Sequence, residues 1–503
     1  MDYRQIRSGW QAGSTMLTLA DVYEALAKTR PAGAQRVSIP EVVIDSRLAS
    51  AGSLFVALKG ENWDGHDFIG DALARGATVI IAEARARDKG LGPSAHLVDV
   101  AGLQPGPLSP VPSVLIVPSS LQALHELAAY WRRRFTKCKT IGITGSIGKS
   151  STKELAAAVL RQRFHVLKNV GNYNNEIGLP LMILRMNKEH QRAVLEMGMY
   201  ALGEIRELCR IAQPEIGVVT NVGPSHLERL GSLEKIAEAK SELPHALPAE
   251  GVAILNGDDP RVAAMKDQTR ARTFLYGLEP RHDLWANDIE SHGLEGISFA
   301  LHHANEHLHV RVPLLGRHSV HTALAAAAVG VVEGMSWDDI LRGLQDVAAQ
   351  LRLIAVPGEK DTTLLDDTYN ASPSSSLAAL NLLAELTGRK IAVLGDMLEL
   401  GEMELQGHKV VGGRAAQVVD VLIAVGARGR WIGEEARATG LSAQQVFFAD
   451  GNAAAVEILR RVMRAGDMVL IKGSRGAKME EIIAAVARPG ENGIQEADAW
   501  HGR

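Results

Sequence analysis

The sequence predicts an α/β protein of three domains, each a mainly parallel sheet flanked by helices. Three observations carry that prediction. Short β-branched runs alternate with helical patterns along nearly the whole chain, as strand–helix–strand crossovers require. At 503 residues the chain is too long for a single hydrophobic core. Two interruptions then divide it. The proline-rich LQPGPLSPVP at 103–112 sustains neither a helix nor a central strand, and around 340–352 an alanine-rich helical stretch gives way to the strand-like TTLLDDTYN. The expected domains are 1–115 (small N-terminal α/β), 116–345 (central parallel sheet) and 346–503 (C-terminal, Rossmann-like α/β).

In the N-terminal domain EVVIDSR, SLFVALKG and TVIIAE are expected as strands and DFIGDALARGA as a helix. SLQALHELAAYWRRRF is a helix leading into the central domain. There TIGITG is a strand, followed by a glycine turn and the helix KSSTKELAAAVLRQR; AVLEMG and IGVVTNVG are further strands, and SLEKIAEAKSEL is a helix. Residues 284–314 are β-rich and are expected as an insert. In the last third KIAVLGDM, DVLIAVG and DMVLIKG are strands. No repeat of solenoid period is present.

Composition excludes several classes. A formal net charge of −4 argues against wholesale binding to nucleic acid or anionic membrane. No apolar run reaches the length of a membrane span, and no signal peptide is recognisable. The two cysteines, Cys138 and Cys209, form neither a metal pair nor a disulfide framework. A cytoplasmic protein is expected, and nothing demands more than a monomer.

GITGSIGKSSTKE (142–154) places Gly142, Gly145 and Gly148 between an apolar strand and a helix. A strict P-loop has glycine where Ile143 stands. The physics survives the shift: Gly145 and Gly148 can take positive φ, so the N–H groups of Gly145, Ser146, Ile147 and Gly148 turn inward at a helix N-terminus. Lys149 then reaches terminal phosphates, and Ser150 or Ser151 offers a hydroxyl to Mg²⁺. ATP is the expected cofactor. The competing reading is a glycine-rich turn with a solvated lysine.

Further separated motifs accompany the loop: DSR (45–47) with GENWDGHDF (60–68), GNYNNEIGLP (171–180), EMGMYALGEI (196–205), TNVGPSHLERLGS (220–232) with AKSEL (239–243), DDTYNASP (366–373), GDMLELG (395–401) and KGSR (472–475). Together and in order they resemble the Mur ligases from about residue 17 onward. Among those, the motifs are similar to the type that joins D-alanyl-D-alanine to UDP-N-acetylmuramoyl-tripeptide. The resemblance implies that ATP phosphorylates a carboxylate, that an amine attacks the acyl phosphate, and that one or two Mg²⁺ ions take part.

It also implies roles for particular residues. Glu196 and His226 bind Mg²⁺, with Ser150, although a strand-end carboxylate and a turn histidine could equally be structural. Lys240 is carboxylated by CO₂, where a lysine on an amphipathic helix is otherwise a solvated group. Asn172, Asn174 and Asn175 lie beside the substrate sugar and phosphate, or else serve Asx-turns and caps. Ser46 and Arg47 contact the UDP phosphates, or form a surface turn with an internal ion pair. Asp367 and Asn370 lie near nucleotide and amine; Lys472 and Arg475 face an anionic group; Arg352 clamps ATP phosphates. One departure stands out: the family often reads G-x-H-N with a second asparagine three residues on, whereas GRHSVHT carries Ser319 and Thr322. Adenine recognition is expected to be built differently here. The rival from another class is a P-loop ATPase that hydrolyses nucleotide alone.

Overall fold

The computed structural model describes residues 16–60, 62–88, 91, 95–101, 112–171, 173–224, 227–346 and 354–488. Most of the proline-rich stretch, the 347–353 segment with Arg352, and the individual residues Asn172 and His226 lie outside the described residues.

A five-stranded, all-parallel sheet forms the first layer, in the spatial order Val42–Val43, Leu54–Val56, Val79–Ala82, Ser113–Ile116, His96–Asp99. Its central strands are apolar without alternation and wholly buried, as strands covered on both faces must be. The helix Ser120–Arg133 starts at Ser119, whose hydroxyl accepts from Gln122 N at 3.2 Å. It packs on Leu19–Ala27 and also on helices of the central domain, and Trp131 Nε1 donates to Met186 O at 3.0 Å. One apolar core consequently runs from Leu17 to Leu243 through this helix.

The central sheet has nine strands in the order Val166–Lys168, Arg192–Glu196, Lys139–Thr144, Ile216–Val219, Val252–Asn256, Arg272–Gly277, Leu284–Ser291, Ile297–His303, Glu306–Val312. The first seven run parallel and the last two close an antiparallel meander. Residues 284–312 are therefore not an insert: Leu284 pairs in parallel with Tyr276 and the meander prolongs the sheet. The polar positions of LWANDIES follow from that placement, because the outer strands keep one face in water. Helices Lys149–Arg161 and Val320–Val332 cover the core face.

The C-terminal sheet orders Ile354–Gly358, Thr362–Asp367, Met468–Lys472, Lys390–Leu394, Val421–Val425, Val446–Ala449, antiparallel only in its first pair. Parallel register sets Asp367 beside Lys472 where both strands end. In the central sheet the strands Arg192–Glu196, Lys139–Thr144 and Ile216–Val219 are neighbours, so Glu196, the glycine loop and TNVG emerge together from their carboxyl ends, where open α/β sheets bind ligands.

Candidate active site

The glycine loop is fastened to the neighbouring strand end. Ser146 N donates to Asn221 O and Ile147 N to Asn221 Oδ1, both at 2.9 Å, while Thr220 Oγ1 donates to Ile147 O at 2.7 Å. Ser146 Oγ donates to Gly223 O at 3.0 Å and accepts from Gly223 N at 2.8 Å. Gly145 and Gly148 take φ of 146° and 81°. At Gly145 a Cβ would come within 1.9 Å of Thr220 Oγ1, so side chain and backbone both require glycine. Gly145→Ala is expected to displace the loop by about an ångström and to lower kcat/KM for ATP about 10²-fold, read by steady-state kinetics. Lys149 follows the N-cap Gly148, and its Nζ donates to Gly145 O at 2.7 Å and Ser146 O at 3.1 Å, folded over the loop it would leave to meet a phosphate.

Glu196 ends its strand fully buried and is held on every side. Ser150 Oγ donates to its Oε2 at 2.6 Å and Asn174 Nδ2 to its Oε1 at 2.7 Å. Asn169 fixes the backbone, accepting from Glu196 N at 2.9 Å and donating to Glu196 O at 3.0 Å. Lys153, buried one helical turn beyond Lys149, donates to Asn169 O at 2.9 Å and stands 4.0 Å from Glu196 Oε2. Of the two serines, Ser150 is thus the one beside the carboxylate, and Ser151 lines the cavity beyond. A hydroxyl and a carboxylate side by side next to a phosphate loop are the hard oxygen donors Mg²⁺ takes. No cluster of three metal-ligating side chains occurs among the described residues.

Lys240 is buried in the helix Leu233–Ala246, and burial first, then the charge of Lys149, hold its amine well below the usual lysine range. It is not the solvated lysine that amphipathic spacing suggests. A neutral amine is the form that adds CO₂.

The glycine loop faces the C-terminal domain across a cavity of about 640 Å³. Ser146, Gly148, Ser151 and Asn221 line one wall; Asp367, Asn370 and Lys472 line the other. Lys472 is buried and donates to Asp367 Oδ2 at 2.6 Å and Asn370 O at 2.9 Å, so its charge is largely balanced within its own domain. Ser372 caps the helix Pro373–Glu385. Arg475 is exposed with its guanidinium 5.6 Å from the Tyr369 ring. At the far end, His318 lines the cavity, and burial, then His321 and Lys472, push its imidazole down to about 4. Ser319 turns its hydroxyl back onto Leu315 O at 2.7 Å, while Thr322 lines the cavity near Gly148.

Other expected site residues sit in self-contained arrangements. Asn175 Oδ1 accepts from Gly178 N at 2.8 Å, the cap expected of clustered asparagines, and Asn174 alone of the described asparagines in that motif reaches Glu196. Ser46 donates to Asp71 Oδ2 at 2.7 Å; Arg47 pairs with Asp45 through two nitrogens, with contacts from 2.6 Å to 3.1 Å. Sequence spacing missed Asn169, Lys153, Asn221 and the Asp258–His321 pair at 2.8 Å, of which His321 lines the cavity. None of them carried a signal in spacing: Lys153, four residues after Lys149, reads as one more lysine on a helix surface.

Sequence patterns of three described families match in order: the Mur ligase family catalytic domain at residues 38–132, the Mur ligase middle domain at 143–330, and the Mur ligase glutamate ligase domain at 351–475. A relative from Bacillus subtilis, UDP-N-acetylmuramoyl-tripeptide–D-alanyl-D-alanine ligase, is 35% identical over 89% of this chain and 93% of its own. The protein of the same name from Escherichia coli is 35% identical over 90% of this chain and 95% of its own. Among solved structures, MurF from Acinetobacter baumannii superposes with a TM-score of 0.79 at 30% identity, covering 93% of this chain and 98% of that one. The MurF ligase from Thermotoga maritima, solved in complex with ADP, gives 0.73 at 28% identity over 88% of this chain and 96% of its own. With three consecutive domain matches, full-length relatives and a shared architecture, the chain belongs to the Mur ligase family, on its MurF branch.

Proposed function

We propose that this chain is the ATP-dependent ligase that joins D-alanyl-D-alanine to UDP-N-acetylmuramoyl-tripeptide, completing the peptidoglycan precursor pentapeptide through an acyl phosphate. One observation carries it: the phosphate loop and the Asp367–Lys472 pair of a second domain line the same cavity, as a reaction between a nucleotide and two further substrates needs. A hydrolase that works alone needs no such second wall.

In this reading each domain takes one part of the work. The N-terminal domain takes the UDP moiety, with Ser46 and Arg47 exchanging their internal partners for phosphate. The loop amides and Lys149 orient the terminal phosphates, Lys149 leaving the Gly145 and Ser146 carbonyls to do so. Glu196 and Ser150 would hold Mg²⁺, which would supply charge neutralisation when bound. His226 and Arg352 join this set as metal ligand and phosphate clamp. Lys240, carboxylated, presents an anion in place of an amine and orients the acyl phosphate. Closing the cleft excludes water from that intermediate. A cytoplasmic location and monomeric state belong to the same proposal; no described helix is long and apolar enough to cross a membrane.

The test is pentapeptide formation followed by mass spectrometry. Product and ADP should appear only when both substrates accompany ATP; vigorous ATPase activity without them, or reaction with single amino acids instead of the dipeptide, would sink the assignment. Glu196→Gln should lower kcat by about 10²-fold and raise the Mg²⁺ concentration needed for half-activity. An unchanged Mg²⁺ titration would remove Glu196 from the metal site.

A further inference from the structure

The antiparallel meander that ends the central sheet keeps one face in water. Its inward positions are apolar and buried: Leu284 and Ala286, then Ile297, Phe299 and Leu301, then Val310 and Val312. The alternate positions set Trp285, His302 and His307 in one row, because Trp285 pairs with His302 and His302 with His307 across the strands. Asn287, Ala300 and His309 form the next row. His303 turns to the opposite face, its Nδ1 donating to Asp283 O at 2.7 Å.

The His302 ring is fixed on two sides. It stacks on the Trp285 indole, with centroids 3.7 Å apart and planes within 7°. Its Nε2 stands 2.8 Å from Asn287 Oδ1, which can only accept, so Nε2 carries the proton and Nδ1 keeps a lone pair. That Nδ1 faces His307 Nδ1 at 3.0 Å, with one proton between the two rings. A hydrogen bond from the far nitrogen to an oxygen is the support that metal-bound imidazoles use. His307 is exposed on the edge strand, with room to turn its nitrogen toward a shared ion. Nitrogens 3.0 Å apart, each about 2.0–2.1 Å from one ion, subtend roughly 90–100°. A tetrahedral pair would stand about 3.3–3.4 Å apart, so the bite suits tetragonal Cu²⁺ or Ni²⁺ better than Zn²⁺. Asp288 and Glu290 line a cavity of about 310 Å³ with His309, whose ring lies 5.4 Å from that of His307, and these carboxylates favour a cation nearby.

We propose that His302 and His307 chelate one divalent transition-metal ion through their Nδ1 atoms, Cu²⁺ or Ni²⁺ before Zn²⁺, with water completing the coordination. Among the described residues no third metal-ligating side chain joins them, so the site is a two-residue chelate. On binding, the His307 proton moves through solvent from Nδ1 to Nε2, and both imidazoles stay neutral. The ion ties the last two strands of the sheet together across their hairpin. It stands apart from the phosphate cavity and takes no part in the ligase reaction.

Calorimetric titration of CuCl₂, NiCl₂ and ZnCl₂ into the untagged full-length protein tests it, with Mg²⁺ in excess to fill sites built from oxygen donors. One equivalent should bind, Cu²⁺ and Ni²⁺ more tightly than Zn²⁺, and Cu²⁺ should quench the emission of Trp285. His302→Gln and His307→Gln should each remove that equivalent. Asn287→Leu should weaken it by about 10-fold, as loss of a supporting contact does. His309→Gln should bind as the unmodified protein does, and Trp285→Phe should bind while losing the quenching. His307 is exposed, so its variant keeps the fold and decides the outcome if His302→Gln does not. Undiminished binding by His307→Gln would overturn the proposal and leave a hydrogen-bonded histidine pair only. Equal losses in His309→Gln and His307→Gln would overturn it as well, since the ion would then sit elsewhere on this face.

Discussion

Lys149→Ala is expected to lower kcat for ligation by about 10³-fold, because it removes the one cation of the glycine loop aimed at the transferring phosphoryl group. The fold should be little affected. Lys149 donates to loop carbonyls in the structure, and the loop is anchored independently by Asn221, Thr220 and Gly223. Nucleotide affinity should fall less than turnover, since the amides of the loop and the helix N-terminus remain. Comparing kcat with the Kd for ADP separates these outcomes. Equal losses in both would mean that Lys149 serves ground-state binding rather than transfer.

Lys240→Met carries the second large effect, and its two readouts move in opposite directions. Activity should fall about 10²- to 10³-fold if the carbamate is needed at the phosphoryl transfer site. Stability at neutral pH should rise. The folded amine is held well below its usual range by burial and by Lys149, so between that depressed value and the usual 10.5 the unfolded chain binds more protons than the folded one. Folded stability contributed by this group therefore increases with pH and is at a disadvantage near neutrality, a disadvantage that methionine removes. Thermal melts in bicarbonate-free buffer at pH 7 and pH 9 should show a higher Tm for the variant, with the gap narrowing as pH rises. A variant less stable at both pH values would assign Lys240 a structural role. Intact mass of the unmodified protein under bicarbonate, measured without acid, should show added CO₂.

Much of this architecture was legible because parallel sheets write themselves plainly. Runs such as TIGITG and DVLIAVG are apolar without alternation, and each appears as a buried strand. The 284–312 meander was harder, since alternating polarity says that one face is wet but not which neighbour a strand takes; Leu284 found Tyr276 through tertiary pairing. In the site, the glycine loop announced itself by composition. The clamp on Glu196 did not: Asn169 acts across 27 residues through a fold contact, and an asparagine beside a valine carries no periodic signal. Lys153 and Lys240 were obscured for a common reason. Helical spacing treats a lysine as a surface group, while both are buried, one among Asn169, Glu154 and Glu196, the other within the field of Lys149. The arrangement at DSR was open from sequence alone, and the Asp45–Arg47 pair shows that the internal ion pair does form.

The most direct measurement places ¹⁸O in the terminal carboxylate of UDP-N-acetylmuramoyl-tripeptide and follows it through one turnover with ATP and D-alanyl-D-alanine. Phosphoryl transfer to that carboxylate carries one labelled oxygen into the released orthophosphate, visible as a shift in its ³¹P resonance. Orthophosphate free of label, formed in step with pentapeptide, would contradict carboxylate activation and leave the glycine loop serving a different reaction.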